Sequence, residues 1–218
     1  MKNELTELVF IVDRSGSMSG LETDTIGGFN AMLTKQQQEP GKAMVTTVLF
    51  DDQYEILHHR LSVQEVKPVT DKEYFVRGTT ALLDAVGHTI NRIGKILHEA
   101  KEEERPGQVV FVITTDGLEN ASREFSYEDV RKMIEHQKEK YGWEFIFLGA
   151  NINAVATAER FGIKKDRAAD YHADGAGTSL NYKVINETVS YLRSHKVLSD
   201  SWKDEIDQDF NKRKKRGK

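Results

Sequence analysis

No cysteine occurs among the 218 residues of the sequence. Counting alone therefore excludes disulfide scaffolds, zinc sites with thiolate ligands, iron–sulfur clusters and cysteine nucleophiles. Long apolar runs are also lacking: the longest, residues 8–12 and 109–113, contain five residues each, whereas a membrane-spanning helix needs about 20. Glu4 places an acid in the stretch where a signal peptide requires an apolar region. We therefore expect a cytoplasmic protein without a membrane span.

Basic residues are slightly outnumbered, because 31 Lys and Arg face 35 Asp and Glu and the net charge is −4. Residues 212–218 hold six Lys or Arg and no acid, so without their +6 the remaining residues carry −10. An acidic body repels nucleic-acid phosphates, and a terminal run of charge usually stays solvated. We expect a globular domain over residues 1–196, a flexible charged tail over residues 197–218, and no nucleic-acid partner for the domain.

Apolar runs and helical patterns alternate along the chain, which indicates strands with helices between them. The composition, with 38% apolar and 30% charged residues, is that of a folded globular protein. The expected strands are residues 8–12, 43–50, 54–63, 109–113 and 145–148, with a short further strand near 167–171. The expected helices lie around residues 26–33, over 82–97, after Ser126, and over 153–161 and 180–195.

The order of these elements predicts the fold class. A three-residue polar connection, residues 51–53, lets the second and third strands pair as a hairpin at one edge of the sheet. The other strands are separated by helices and are expected to run parallel. We therefore predict an α/β fold with a Rossmann-like, doubly wound, mostly parallel sheet, one antiparallel edge strand and helices on both faces. Functional residues are expected where the carboxyl ends of the parallel strands meet.

Three polar loops carry oxygen-bearing side chains to that edge. They contain Asp13, Ser15 and Ser17 after the first strand, Thr79 and Thr80 before the helix over 82–97, and Asp116 after the fourth strand. Asp13, Ser15 and Ser17 alternate, so in an extended turn their side chains face one side. Asp116 would lie near Asp13 if the first and fourth strands are neighbours.

Each loop alone has an ordinary structural interpretation. Asp, Ser and Gly are common turn residues, and a threonine before a helix often serves as its N-cap. The occurrence of all three loops in order at one edge favours a metal site. Carboxylate and hydroxyl oxygens without imidazole or thiolate select Mg²⁺ or Mn²⁺. Because these loops hold no third acid that would complete the set, one coordination position should stay open to an acidic group from outside.

The sequence resembles the von Willebrand factor A (VWA) domains over roughly residues 5–195. The segment at 13–18, Asp-Arg-Ser-Gly-Ser-Met, is similar to the family's metal-ion-dependent adhesion site (MIDAS). Gly78-Thr79 resembles its threonine loop, and residues 115–117, Thr-Asp-Gly, resemble its second aspartate loop. The resemblance implies a metal bound by the hydroxyls of Ser15, Ser17 and Thr79, and by Asp13 and Asp116 directly or through water. Thr80 is the competing choice for the threonine.

The resemblance also implies a function. It predicts a protein-binding module, not an enzyme, in which a partner's Asp or Glu completes the metal sphere. Similarity to stand-alone bacterial members implies an intracellular adaptor that works beside an ATPase or a stress-response system. One alternative is a magnesium-dependent hydrolase or phosphotransferase, which the missing Walker-type loop disfavours. The other is nucleic-acid binding through the basic residues 212–218.

Overall fold

A computed structural model describes residues 4–195 and 197–216, except for the side chain of Arg216. In these residues six strands form one sheet: β1 (Thr6–Asp13), β2 (Ala43–Phe50), β3 (Tyr54–Ser62), β4 (Gln108–Thr115), β5 (Glu144–Ala150) and β6 (Ala168–Tyr171). Their order across the sheet is β3-β2-β1-β4-β5-β6. β3 is antiparallel to β2, and the other neighbouring strands are parallel. The predicted fold class is confirmed.

Burial of the strands follows their position in the sheet. β1 and β4 are buried along their whole length, because each has a strand on both sides and helices on both faces. This explains why their sequences are continuous apolar runs and not alternating patterns. β3 lies at the edge and is largely half-buried or exposed.

Helices cover both faces of the sheet. One face packs against α1 (Glu22–Gln38) and α5 (Gly175–His195), and the other packs against α2 (Leu82–Glu99), α3 (Tyr127–Tyr141) and α4 (Ala154–Arg160). The spacing that predicted α2 places its apolar side chains in the core: Leu82, Val86, Ile90, Ile93 and Leu97 are all buried. α3 starts after Ser126, which forms a capping box with Asp129.

The start of α5 differs from the sequence prediction. The helix begins at Gly175 and not at residue 180. Glycine disfavours helix formation, so the sequence Gly-Ala-Gly at residues 175–177 did not indicate the first helical turn. The turn forms because Asp174 Oδ1 accepts a hydrogen bond from the Gly177 backbone nitrogen at 2.8 Å. Gly177 is also required by space, since a Cβ there would collide with the His172 backbone carbonyl.

The C-terminal segment is folded in its described part, which corrects the expectation of a flexible tail over residues 197–218. Residues Asp204–Arg216 form a helix, α6. Ile206 is buried in the same core as α1 and α5, and Leu198 is buried with it. The Lys203 ammonium donates to the Ala168 carbonyl oxygen at 2.7 Å, which ties the segment to edge strand β6. The sequence prediction failed because Leu198 and Ile206 are isolated apolar residues in a highly charged segment and form no recognisable pattern. Residues 217–218 of the basic run lie outside the described residues.

None of the helices in the described part of the chain combines the length and the apolarity needed to cross a membrane.

Candidate metal site

The two acidic residues predicted at the sheet edge lie on neighbouring strands. Asp13 is the last residue of β1, and Asp116 follows directly after β4. β1 and β4 pair in parallel, with Val12 opposite Thr114. The carboxyl ends of both strands therefore deliver a carboxylate to the same edge, as the sequence predicted.

Three hydroxyl groups join these loops. Thr80 Oγ1 donates to Ser15 Oγ at 3.0 Å, and Ser15 Oγ lies 3.1 Å from Ser17 Oγ. Ser17 Oγ in turn donates to Asp116 Oδ1 at 2.5 Å. Together with Asp13, these residues form what we call the hydroxyl–carboxylate cluster. All its members come from the three predicted loops.

The threonine in this cluster is Thr80 and not Thr79. The Thr79 side chain is exposed, whereas Thr80 is 3% exposed. The preceding Gly78 has a φ of +68°, a left-handed turn that glycine favours. The Thr80 backbone nitrogen then donates to Asn120 Oδ1 at 2.9 Å, which fixes the residue next to the Asp116 loop. We therefore correct the assignment of Thr79 to the site.

Asp13 is held by hydrogen bonds on both carboxylate oxygens. Oδ1 accepts from the Ser15 backbone nitrogen at 2.7 Å, and Oδ2 accepts from Thr115 Oγ1 at 2.5 Å. The residue is 1% exposed. Burial raises the pKa of Asp13 above its ordinary value, and these hydrogen bonds offset the effect only in part. The role of Thr115 was not predicted from the sequence, although its place beside Asp13 follows from the pairing of β1 with β4.

Asp116 has an oxygen without a partner. Its Oδ2 is buried and accepts no hydrogen bond. Burial raises the pKa of Asp116 to about 6, the hydrogen bond from Ser17 opposes this rise, and the charge of Asp13 adds to it. Neither acid has an ion-pair partner among the described residues; Arg14 and Arg77 both pair with Asp51 instead. The cluster thus concentrates negative charge that no described side chain neutralises.

These residues fit a divalent cation. Hydroxyl and carboxylate oxygens are hard donors, and the unpartnered Asp116 oxygen is a free ligand. Gly117 leaves space beside the hydroxyls, because a Cβ there would lie 2.9 Å from Ser17 Oγ and 3.0 Å from Thr80 Oγ1. Within residues 4–195 and 197–216, no group of three Asp, Glu or His side chains could hold a metal ion. A metal at this edge must therefore use the hydroxyls.

A buried arginine fixes the loop that carries the serines. Arg14 is 0% exposed; its Nε donates to Asp51 Oδ2 at 2.9 Å, and its Nη2 donates to Glu55 at 2.7 Å. Arg77 also donates to Asp51 Oδ2, at 2.7 Å. Burial opposes ionisation of Asp51, but the hydrogen bond from Arg77 and the charge of Arg14 keep its pKa below the ordinary value. Sequence reasoning missed this network because arginine in a polar loop is usually exposed.

The loop after Asp116 is tied to the start of α2. Ala81, the residue before α2, offers no side-chain cap. Instead Glu119 Oε2 accepts from the Leu83 backbone nitrogen at 2.8 Å, and Ser122 Oγ accepts from the Asp84 backbone nitrogen at 3.1 Å. These bonds satisfy helix N–H groups from another loop. These hydrogen bonds therefore fix the threonine loop and the aspartate loop relative to each other.

A scan of the sequence against protein-family models finds no match, and a search of curated proteins finds none either. Solved structures do match. A von Willebrand factor type A structure from Catenulispora acidiphila has a TM-score of 0.59 at 14% identity, covering 87% of this chain and 43% of its own. Proximal thread matrix protein 1 from the mussel byssus, with a zinc-occupied MIDAS motif, has a TM-score of 0.59 at 13% identity, covering 87% and 47%.

A third structure, the manganese-loaded TRAP protein of Plasmodium vivax, has a TM-score of 0.56 at 18% identity, covering 83% of this chain and 73% of its own. The chain spans less than half the length of the first two structures. At identities of 13 to 18% the likeness is one of fold. The chain has the fold of a von Willebrand factor A domain.

Proposed function

We propose that this protein is a metal-dependent protein-binding module, in which a divalent cation at the hydroxyl–carboxylate cluster bridges to an acidic residue of a partner protein. The observation that carries the proposal is the unbroken series of hydroxyls from Thr80 to Ser17, which ends on Asp116 with its unpartnered Oδ2. Mg²⁺ and Mn²⁺ are the ions that such oxygen ligands favour.

The residues that would hold the ion are Asp13, Ser15, Ser17, Thr80 and Asp116. When bound, the cation supplies a positive centre with a coordination position for an outside carboxylate. Two carboxylates balance the charge of one divalent ion, and burial raises the pKa of both Asp13 and Asp116, which a bound cation would oppose. Ser17 is exposed, so the cluster is open to a partner on that side.

The geometry favours binding over phosphoryl or hydrolytic chemistry. Asp13 is 1% exposed and accepts a hydrogen bond on each oxygen, so it is poorly placed to attack a substrate as a nucleophile. Phosphoryl transfer also uses a Lys or Arg to neutralise charge at the reacting group. The two arginines closest along the loops, Arg14 and Arg77, are engaged with Asp51. We therefore propose that the protein is not an enzyme.

Two of the matched structures, one zinc-occupied and one manganese-loaded, support a divalent cation in this fold. Partner class is a further proposal. The resemblance to bacterial VWA proteins leads us to propose an ATPase or a stress-response component as the partner.

The adjacent threonines provide a matched test. Thr80 lies in the cluster, and Thr79 is exposed one residue away. We expect Thr80→Ala and Asp116→Asn to weaken Mn²⁺ or Mg²⁺ binding at least about tenfold in calorimetric titrations, the cost of about 1.4 kcal/mol. Thr79→Ala should bind as the parent does. If Asp116→Asn binds the ion with parental affinity, or if both threonine variants behave alike, the site assignment is wrong.

A further inference from the structure

A cavity of about 420 Å³ lies where the parallel strands begin, at the end of the sheet opposite to the hydroxyl–carboxylate cluster. It is walled by the second half of α2, the end of α3, the first residues of β4, and Trp143 just before β5. β4 runs from Gln108 at the cavity to Thr115 at the cluster, a distance of about 23 Å at about 3.3 Å per residue. The volume falls in the range of about 300–1,000 Å³ that is typical of small-molecule sites.

Two side chains around the cavity are positively charged, and none is negatively charged among those described. Lys95 and Arg105 line it together with His98 and His136, and no Asp or Glu is among its described lining residues. Arg105 donates to two backbone carbonyls, those of Ala100 and His98, and to no carboxylate among the residues that the structure describes. Lys95 is exposed and has no ion-pair partner in the part of the chain that the structure describes. In a chain with a net charge of −4, such a cavity favours an anion.

The cavity also has an aromatic wall and unpaired acceptors. Trp143 lines it and stacks on Phe111, with ring centroids 5.3 Å apart. Gln108 and Gln137 line it too, and the Oε1 atom of each is buried without a hydrogen-bond partner. A buried acceptor without a donor is unfavourable, so a ligand N–H that reaches either amide would relieve it. Gly94 faces these walls, since a Cβ there would lie 3.6 Å from Gln137 Nε2 and 4.0 Å from Trp143 Cη2.

We propose that this cavity binds a nucleotide, with the base against Trp143 and the Gln108 and Gln137 amides, and the phosphate at Lys95 and Arg105. The base of a nucleotide supplies a flat ring with N–H donors, and the phosphate of the nucleotide supplies the anion that unpaired cations attract. The site shares no residue with the hydroxyl–carboxylate cluster. The nucleotide proposal can therefore be tested independently of the proposed metal-dependent function.

Trp143 provides a direct probe of binding. The chain has two tryptophans, so the Trp202→Phe variant reports on Trp143 alone. We would titrate this variant with AMP, GMP, the matching nucleosides and inorganic phosphate, in EDTA so that the cluster cannot hold a metal. Calorimetry of the parent would follow the same ligands. At least one nucleotide should give a saturable fluorescence change and bind more tightly than its nucleoside. The absence of binding by both methods would overturn the proposal, as would equal affinity for nucleotide and nucleoside.

Variants of α2 test whether the nucleotide occupies this cavity. Lys95→Gln should weaken binding about two- to fivefold, the range for one exposed charge pair. Arg92→Gln removes a charge from the same helix outside the lining and should change nothing. Gly94→Leu should block binding, and a cooperative unfolding transition would show that it folds. If it does not fold, the comparison of Lys95→Gln with Arg92→Gln remains decisive. Undiminished binding in Lys95→Gln would refute the location.

Discussion

Glu7 is a buried carboxyl group in the central strand, and it should make stability depend on pH. The residue lies in β1 and is 0% exposed. Its Oε2 accepts from Arg60 Nε at 2.9 Å, while its Oε1 is buried without a partner. A single ion pair among the described residues, with Arg60 of the edge strand β3, is therefore the side-chain compensation for a carboxylate that has lost its hydration. Replacing Glu7 with Gln keeps the shape and removes the charge.

The sign of the effect follows from the pKa. Burial raises the pKa of Glu7 from its ordinary 4.5 to about 7, although the charge of Arg60 and its hydrogen bond act in the opposite direction. For an acid whose pKa is higher in the folded state, the stability contribution is fully present below pH 4.5 and is lost as the pH rises through 7. At about 1.4 kcal/mol per pH unit, the interval corresponds to about 3 kcal/mol of unfolding free energy.

Urea unfolding between pH 4.5 and 8 measures this directly. Relative to the parent, Glu7→Gln should gain up to about 3 kcal/mol of unfolding free energy across this interval, because the variant has no proton to lose. Glu65→Gln, which replaces an exposed acid, should keep a constant difference from the parent. A Glu7→Gln difference that is also constant with pH would refute the reasoning.

Three further substitutions follow from the packing. Arg14→Met should lower the unfolding free energy in urea by about 3–5 kcal/mol, because it breaks a buried ion pair with Asp51. An equal loss in Arg77→Met, which removes a partly exposed arginine, would contradict this explanation. Gly117→Ala should weaken Mn²⁺ binding in calorimetry, since its Cβ would crowd the hydroxyls; unchanged affinity would argue against hydroxyl ligands. Ile206→Ala should cost about 2–5 kcal/mol in urea unfolding, and a negligible cost would mean that α6 adds nothing to the core.

The elements whose pattern has one strong physical cause were predictable. The spacing of Leu82, Val86 and Ile90 determines which side of α2 is buried, and the continuous apolar runs of β1 and β4 mark central parallel strands. The meeting of Asp13 and Asp116 at one edge followed from topology, because parallel strands end together. These features depend on periodicity and burial, which the sequence carries directly.

Features that depend on a single turn or a distant contact were not predictable. Thr79 and Thr80 are chemically identical, and the left-handed turn at Gly78 decides which one faces the cluster. Arg14 sits in a polar loop, and only its pairing with Asp51, 37 residues away, explains its burial. The helix α6 carries so many charges that the anchoring role of Ile206 is visible only once the core is assembled.

Capture of a partner from native cell extract tests the central claim most directly. The tagged protein would be incubated with extract in Mg²⁺ and in EDTA, alongside Thr80→Ala, Thr79→Ala and a chain that lacks residues 212–218. We predict a partner that is retained in Mg²⁺ by the parent, by Thr79→Ala and by the shortened chain, and that is lost in EDTA and with Thr80→Ala. A partner that remains bound in EDTA and with Thr80→Ala, but is lost from the shortened chain, would contradict metal-bridged binding and assign recognition to the basic terminus.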